Sequence, residues 1–214
     1  GWPKFEWRWE AVPGMRRAAH RQPLWLGEEP LAGRTILLHA EQGLGDTLQF
    51  CRFAAEVQAL GARVLLEVQA PLRELLSGLQ GVAQVFVQGD ALPDFDFHCP
   101  LMSLPLALKT GLASIPSATG YLSADARKAG HWRERLAAES AEPDLRVGVV
   151  WSGGFRPHQP VTWGINARRN MHARHLAALY MPRVRLYSLQ KGAEALAQLA
   201  ELRGTGWAGP TLTD

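Results

Sequence analysis

Only a few residues of this 214-residue chain combine a reactive type with a position where chemistry is done. Asp46 is the first. It lies in "HAEQGLGDTLQF", where a short apolar run, "TILLHA", gives way at once to a helix-like pattern. A carboxylate at a strand-to-helix turn can take a proton from a hydroxyl, or it can simply cap the helix. Ligands of open α/β sheets gather outside the carboxyl ends of the strands, which is where this turn would lie. Gln42, Gly43 and Gly45 shape the same loop. Its glycines permit a tight turn, and the helix start offers N–H groups and a positive dipole end to an anion. Plain turn chemistry explains those three residues equally well. His98 ends "FDFH" and could serve as a base near neutral pH, or pack as a hydrogen-bonded histidine under "CPLMSLP". Ser103 could touch an acceptor, or only satisfy backbone groups. Farther along, Trp151, Ser152 and Gly153 in "WSGG" close a strand whose backbone N–H groups could meet phosphate oxygens. Arg168 and Arg169 in "NARRN" precede a helical pattern, and Lys191 in "LQKG" follows the next strand. Arginine forks match phosphate oxygens, although a solvated basic loop has the same composition.

Other chemistries fit poorly. The dinucleotide fingerprint needs a third glycine where Leu48 stands, and no acidic residue ends the second strand, since "LLEVQ" runs on past Glu67. No Asp-x-Asp pair for a divalent cation sits at a strand end; "DFD", residues 94–96, leads into a strand instead. Cys51 and Cys99 have no metal-ligand spacing, so no metal or other cofactor is expected, and a reducing compartment is the simplest reading. The chain is 47% hydrophobic and 20% charged, ordinary for a globular protein, with no apolar run long enough for a membrane span and no signal-peptide order at its start. The expected location is cytoplasmic. A net charge of +3 suits acidic ligands such as nucleotide phosphates and does not call for nucleic acid.

The elements that must position these residues follow from periodicity. "TILLHA", "ARVLLEVQ", "VAQVFV" and "FDFHCP" read as strands, and "GDTLQFCRFAAEVQALG" as a helix stopped at Gly61. Pro71 opens another helix, which reaches to about Gly78. Strands alternating with helices predict βαβ units and a parallel sheet. The plan then restarts. "ADARKAGHWRERLAAES" predicts an exposed helix, "LRVGVVWSGG" and "RVRLYSLQKG" predict strands, and "MHARHLAALY" and "AEALAQLAEL" predict helices. The expectation is an α/β fold of two tandem Rossmann-like units with parallel sheets. Residues 1–30 read as the end of an upstream segment and a linker, and residues 31–123 as the first unit. Residues 124–144 read as a connector helix, and 145–214 as a second unit cut short after two strands.

"EQGLGDTLQFCRFA", "HCPLMSLPLAL", "VGVVWSGG" and "RRNM…LAAL…YSLQKG" together resemble the glycosyltransferase-like region downstream of tetratricopeptide repeats in bacterial proteins. That region is related to glycosyltransferase family 9, the heptosyltransferases. The resemblance covers most of residues 35–192, and "GWPKFEWRW" resembles the last piece of such a repeat array. It implies a GT-B architecture, with an acceptor-side first unit and a donor-side second unit. It also implies that Asp46 is the catalytic base, that the basic pair Arg168 and Arg169 meets the donor diphosphate, and that the upstream repeats select the acceptor. Relatives often carry proline shortly after the basic pair, where this chain has Met171 and His172. The long loop "FRPHQPVTWGIN" would line the donor site.

The expected function is inverting, metal-independent transfer of a sugar from a nucleotide-sugar to a protein, lipid or glycan acceptor, by this chain or by a longer protein of which it is part. The alternative is a non-catalytic, repeat-linked interaction module. A third reading, a sugar-nucleotide epimerase, would convert a donor with no acceptor present.

Overall fold

The computed structural model describes residues 1–12, 14, 16–117, 120–138, 145–153, 164, 168–179 and 181–204. The chain divides into two compact units, Gly1–Ala129 and Gly130–Asp214. The division falls inside the helix Ala126–Ala138, within the stretch expected as a connector.

The first unit is built on a four-stranded, all-parallel sheet of β1 (Thr35–His39), β2 (Arg63–Val68), β3 (Gln84–Val87) and β4 (Phe97–Pro100). The strand order is β3-β2-β1-β4, the arrangement of a Rossmann-like α/β sheet. Register is set by alternation. Ile36 and Leu38 of β1 point to one face, beside Val64, Leu66 and Cys99, and Leu37 points to the other, beside Leu65.

The two faces are covered differently. On the Ile36 side lie α3 (Leu44–Phe50), α4 (Ala54–Ala59), α5 (Arg73–Leu76) and α6 (Leu104–Ala107), which bury Phe50, Val57, Leu76 and Leu104 in the main core. The 3-10 turn Cys51–Phe53 joins α3 to α4, so the expected helix is present with a tightened middle turn. Gly61, at φ +86°, ends it where a left-handed residue is needed. The Leu37 side holds a smaller cluster of Leu37, Leu65 and Phe86, closed by Leu92 and Phe95 from the β3–β4 connection. That connection has no helix among the residues described, so this face of the sheet relies on loop side chains.

The sheet also explains the fate of the first thirty residues. Residues 1–30 are expected as the end of an upstream segment and a linker. Among those described, the stretch beside β4 is part of the fold: His98 N–H donates to the Pro23 carbonyl at 3.1 Å and Trp25 N–H to the His98 carbonyl at 2.9 Å. This short extended stretch pairs with the outer edge of β4 and covers backbone groups that an edge strand would expose. Trp25 itself is 2% exposed, and its Nε1–H donates to the Glu29 carbonyl. Gly27, at φ +98°, lies against the Ala107 backbone, where an added Cβ would come within 2.1 Å of the Ala107 oxygen. The aromatic start, α1 (Trp2–Phe5) and α2 (Arg8–Ala11), packs as well, with Trp2 edge-on to Phe50 and donating to the Thr110 carbonyl.

In the second unit, β5 (Leu145–Val149) and β6 (Val184–Ser188) are parallel neighbours. Val149, Trp151, Ala173, Leu176, Ala195 and Leu199 form its core. The helix Ala193–Gly204 is as expected. The "MHARHLAALY" stretch forms a 3-10 helix, Ala173–Leu179, where an ordinary helix was expected. His172 explains the tighter start: its carbonyl accepts from His175 N–H and its Nδ1 from Arg174 N–H.

Truncation of a buried indole removes its packing and leaves a cavity. Trp25→Ala should therefore lower the first unit's unfolding free energy by about 3–5 kcal/mol in a urea titration. The same change in a solvated linker would stay within about 0.5 kcal/mol.

Candidate functional site

Strand order reverses between β1 and β4, and the crevice outside their carboxyl ends is where a doubly wound sheet takes its ligands. Asp46 follows β1 and Ser103 follows β4, both at the carboxyl end of the sheet, while His98 lies within β4 opposite Leu37.

Asp46 stands in the first turn of α3, half-buried, with its Oδ2 accepting from Gly43 N–H at 2.9 Å. Its helix-capping role is therefore present. No partner for Oδ1 is found among the described residues. Gly43 is extended (φ −76°, ψ 167°), a conformation open to any residue, and Gly45 lies within α3 itself. Neither glycine makes the tight turn expected of it. A Cβ on Gly45 would have nothing within 4 Å, so its small size leaves open space beside Asp46. The loop is held by Gln69, which follows β2. Its Nε2–H donates to the Gln42 carbonyl at 2.8 Å, and its Oε1 accepts from the Thr47 hydroxyl at 2.9 Å.

His98 is 6% exposed and lies in hydrogen-bonding distance of a histidine absent from the expected set. His39 Nε2 and His98 Nδ1 are 3.1 Å apart. His20 completes a three-ring cluster, with ring centroids 5.2 Å from His39 and 4.8 Å from His98. Burial, reinforced by the neighbouring His98 and His20, lowers the His39 pKa to about 3. Burial, followed by His20 and Arg17, lowers that of His98 to about 4, and burial lowers that of His20. Imidazoles this resistant to protonation are weak bases at neutral pH, so the expected role of His98 as a poised base lacks the necessary basicity.

Ser103 is fully buried. It accepts from Arg8 Nη2 at 2.7 Å and donates to Glu6 Oε1 at 2.8 Å. Arg8 also meets Glu6 at 2.7 Å and both oxygens of Glu41 at 3.0 Å, and its guanidinium sits over Phe5 and Trp9. Burial raises the Glu41 pKa despite the opposing Arg8 contacts. Ser103 thus belongs to an ionic network that fixes α1 and α2 at the end of the sheet. It does not present its hydroxyl to an acceptor. The sequence leaves this network unmarked because its partners lie far apart along the chain.

The second-unit residues are arranged differently from expectation. Gln190, only 7% exposed, accepts Trp151 N–H at 2.9 Å and Ser152 N–H at 3.0 Å on one oxygen. Its Nε2 donates to the Ser152 and Lys191 carbonyls. Gly153 N–H donates to Asn170 Oδ1 at 2.8 Å. The backbone donors expected to meet phosphate are therefore occupied by two side-chain amides, and Trp151 is buried at 4% exposure in the unit's core. Arg168, Arg169 and Lys191 are exposed. Apart from Gly164, the long loop of residues 155–166 falls outside the described residues. Both cysteines are free and buried, and burial pushes the Cys51 thiol up to about 11 and Cys99 well above its ordinary value. Among the described residues, no helix is long and apolar enough to cross a membrane.

No protein-family profile matches the chain, and no solved structure does. It is similar to the protein FlbA of Caulobacter vibrioides, with 25% identity over 178 residues, covering 71% of this chain. The chain spans about 28% of the length of that relative.

Two substitutions probe these arrangements. Gly45→Ala should raise thermal stability, by about 0.5–1 kcal/mol, because alanine favours the helix and nothing obstructs its methyl group. Gln190→Ala leaves buried backbone groups unsatisfied and should cost about 1–3 kcal/mol, measured by urea unfolding.

Proposed function

We propose that this chain carries the sugar-transfer region of an inverting, metal-independent glycosyltransferase of GT-B type, with Asp46 as the base. The observation that supports this best is the position of Asp46. It sits at the carboxyl end of β1, where the strand order reverses, with one carboxylate oxygen tied to Gly43 N–H. A carboxylate steered in this way can take the proton from an acceptor hydroxyl as that oxygen attacks the anomeric carbon of the donor. Gly45 leaves room beside it for the incoming sugar. The donor is a nucleotide-sugar, the acceptor a protein, lipid or glycan chosen by tetratricopeptide repeats upstream. Arg168, Arg169 and Lys191, all exposed, supply the cationic groups for its diphosphate.

A second reading is favoured by one specific observation. Gln190 and Asn170 already satisfy the backbone donors of residues 151–153 that a diphosphate would use. An interaction module that keeps a sugar-nucleotide fold without transferring sugar would be built this way.

Asp46→Asn separates the two readings. The amide oxygen still accepts from Gly43 N–H, so the melting temperature and donor affinity should stay within error of wild type. Transfer, assayed with UDP-, ADP- and GDP-sugars, should fall about 10²- to 10⁴-fold with loss of the base. Unchanged turnover in the variant would remove Asp46 from the chemistry.

A further inference from the structure

Three histidines from distant parts of the chain meet on the Leu37 face of the first sheet. His39 ends β1, His98 belongs to the adjoining β4, and His20 comes from the segment that edges β4. Among the described residues, this is the one group of three or more His, Cys, Asp or Glu side chains whose ligand atoms all lie close together, within 4.8 Å of one another. We infer that His20, His39 and His98 form a zinc site that pins the N-terminal segment to the carboxyl end of the sheet.

The geometry suits that metal. Zinc holds imidazole nitrogens at about 2.0–2.1 Å in a tetrahedron, which sets neighbouring nitrogens about 3.3 Å apart. His39 Nε2 and His98 Nδ1, 3.1 Å apart, already stand near that spacing. His20 Nε2 is buried and has no hydrogen-bond partner among the described residues, an unusual state for a ring nitrogen next to two other imidazoles. His20 is half-exposed, so its ring can close on the pair and a water can take the fourth position. Phe95 stands edge-on to His20 and forms an apolar wall. Three imidazoles without a thiolate suit zinc, copper or nickel more than magnesium or calcium.

Charges around the site work in both directions. Glu67 of β2 is the register partner of His39 and shares its face of the sheet. Arg17 acts on His98 and itself lies 3.8 Å from Glu6. The site is separate from the transfer chemistry proposed for Asp46 and does not depend on it. In the sequence the three histidines show no ligand spacing, because the strand pairing β1–β4 and the edge segment alone bring them together.

The test is calorimetry of the full chain, stripped with a chelator and titrated with Zn²⁺ alone. Wild type should bind one Zn²⁺ per chain with a rise in melting temperature, and Co²⁺ in its place should give the intense visible bands of a four-coordinate imidazole site. His20→Ala, a change at a half-exposed position, should weaken binding by more than about 100-fold, given that even outer residues of zinc sites cost about 10–100-fold. His20→Gln serves as a second variant if the alanine chain misfolds by circular dichroism. The double variant His172→Ala/His175→Ala should bind as wild type does. No saturable binding by wild type, binding retained in both His20 variants, or loss of binding in the His172/His175 pair would overturn the site.

Discussion

A parallel sheet with an uncovered edge and a bare face cannot stand in water, and the first unit depends on how the N-terminal segment meets that demand. Pro23 and Trp25 pair with the backbone of β4 around His98. Trp25 fills the main core, and Gly27 lets the chain lie against α6 at a distance no other residue could reach. Arg8 then locks α1 and α2 at the carboxyl end of the sheet through Glu6, Glu41 and Ser103. Removing either carboxylate partner would leave a buried charge partly unpaired, so these helices are held in one place by a penalty as much as by an attraction.

That segment closes the sheet on the β4 side, beside the point where the strand order reverses. The β1 side holds a carboxylate steered by its own helix, and the β4 side holds a cluster of neutral histidines. The two features use different physics. Asp46 draws on the unpaired N–H groups at a helix start, while burial lowers the pKa of the three histidines. The fold thus sets a capping carboxylate and a histidine cluster within the same unit.

Much of the fold was legible. The apolar runs from Thr35 and Arg63 are near-continuous because buried parallel strands have no polar face, and each became a strand of the sheet. Gly61 marked its helix end for a local reason, the need for positive φ. What could not be read was set by long-range pairing. The segment around Trp25 has no period, since it follows the β4 edge and not an axis of its own. His39 closes a largely apolar strand, but its partners lie far off along the chain. In the second unit, nothing in "LQKG" marks Gln190 apart from its neighbour Lys191, although the buried amide makes four hydrogen bonds and organises the strand-end loop. Asp46 was placed correctly at the start of a helix because capping chemistry is local.

The claim that this chain works on a nucleotide-sugar is tested most directly by isothermal calorimetry of the full chain against UDP, ADP and GDP and their sugars. Saturable binding of one nucleotide series, tighter with its sugar than with the bare diphosphate, is the predicted result. Heats no larger than dilution for every compound would contradict it.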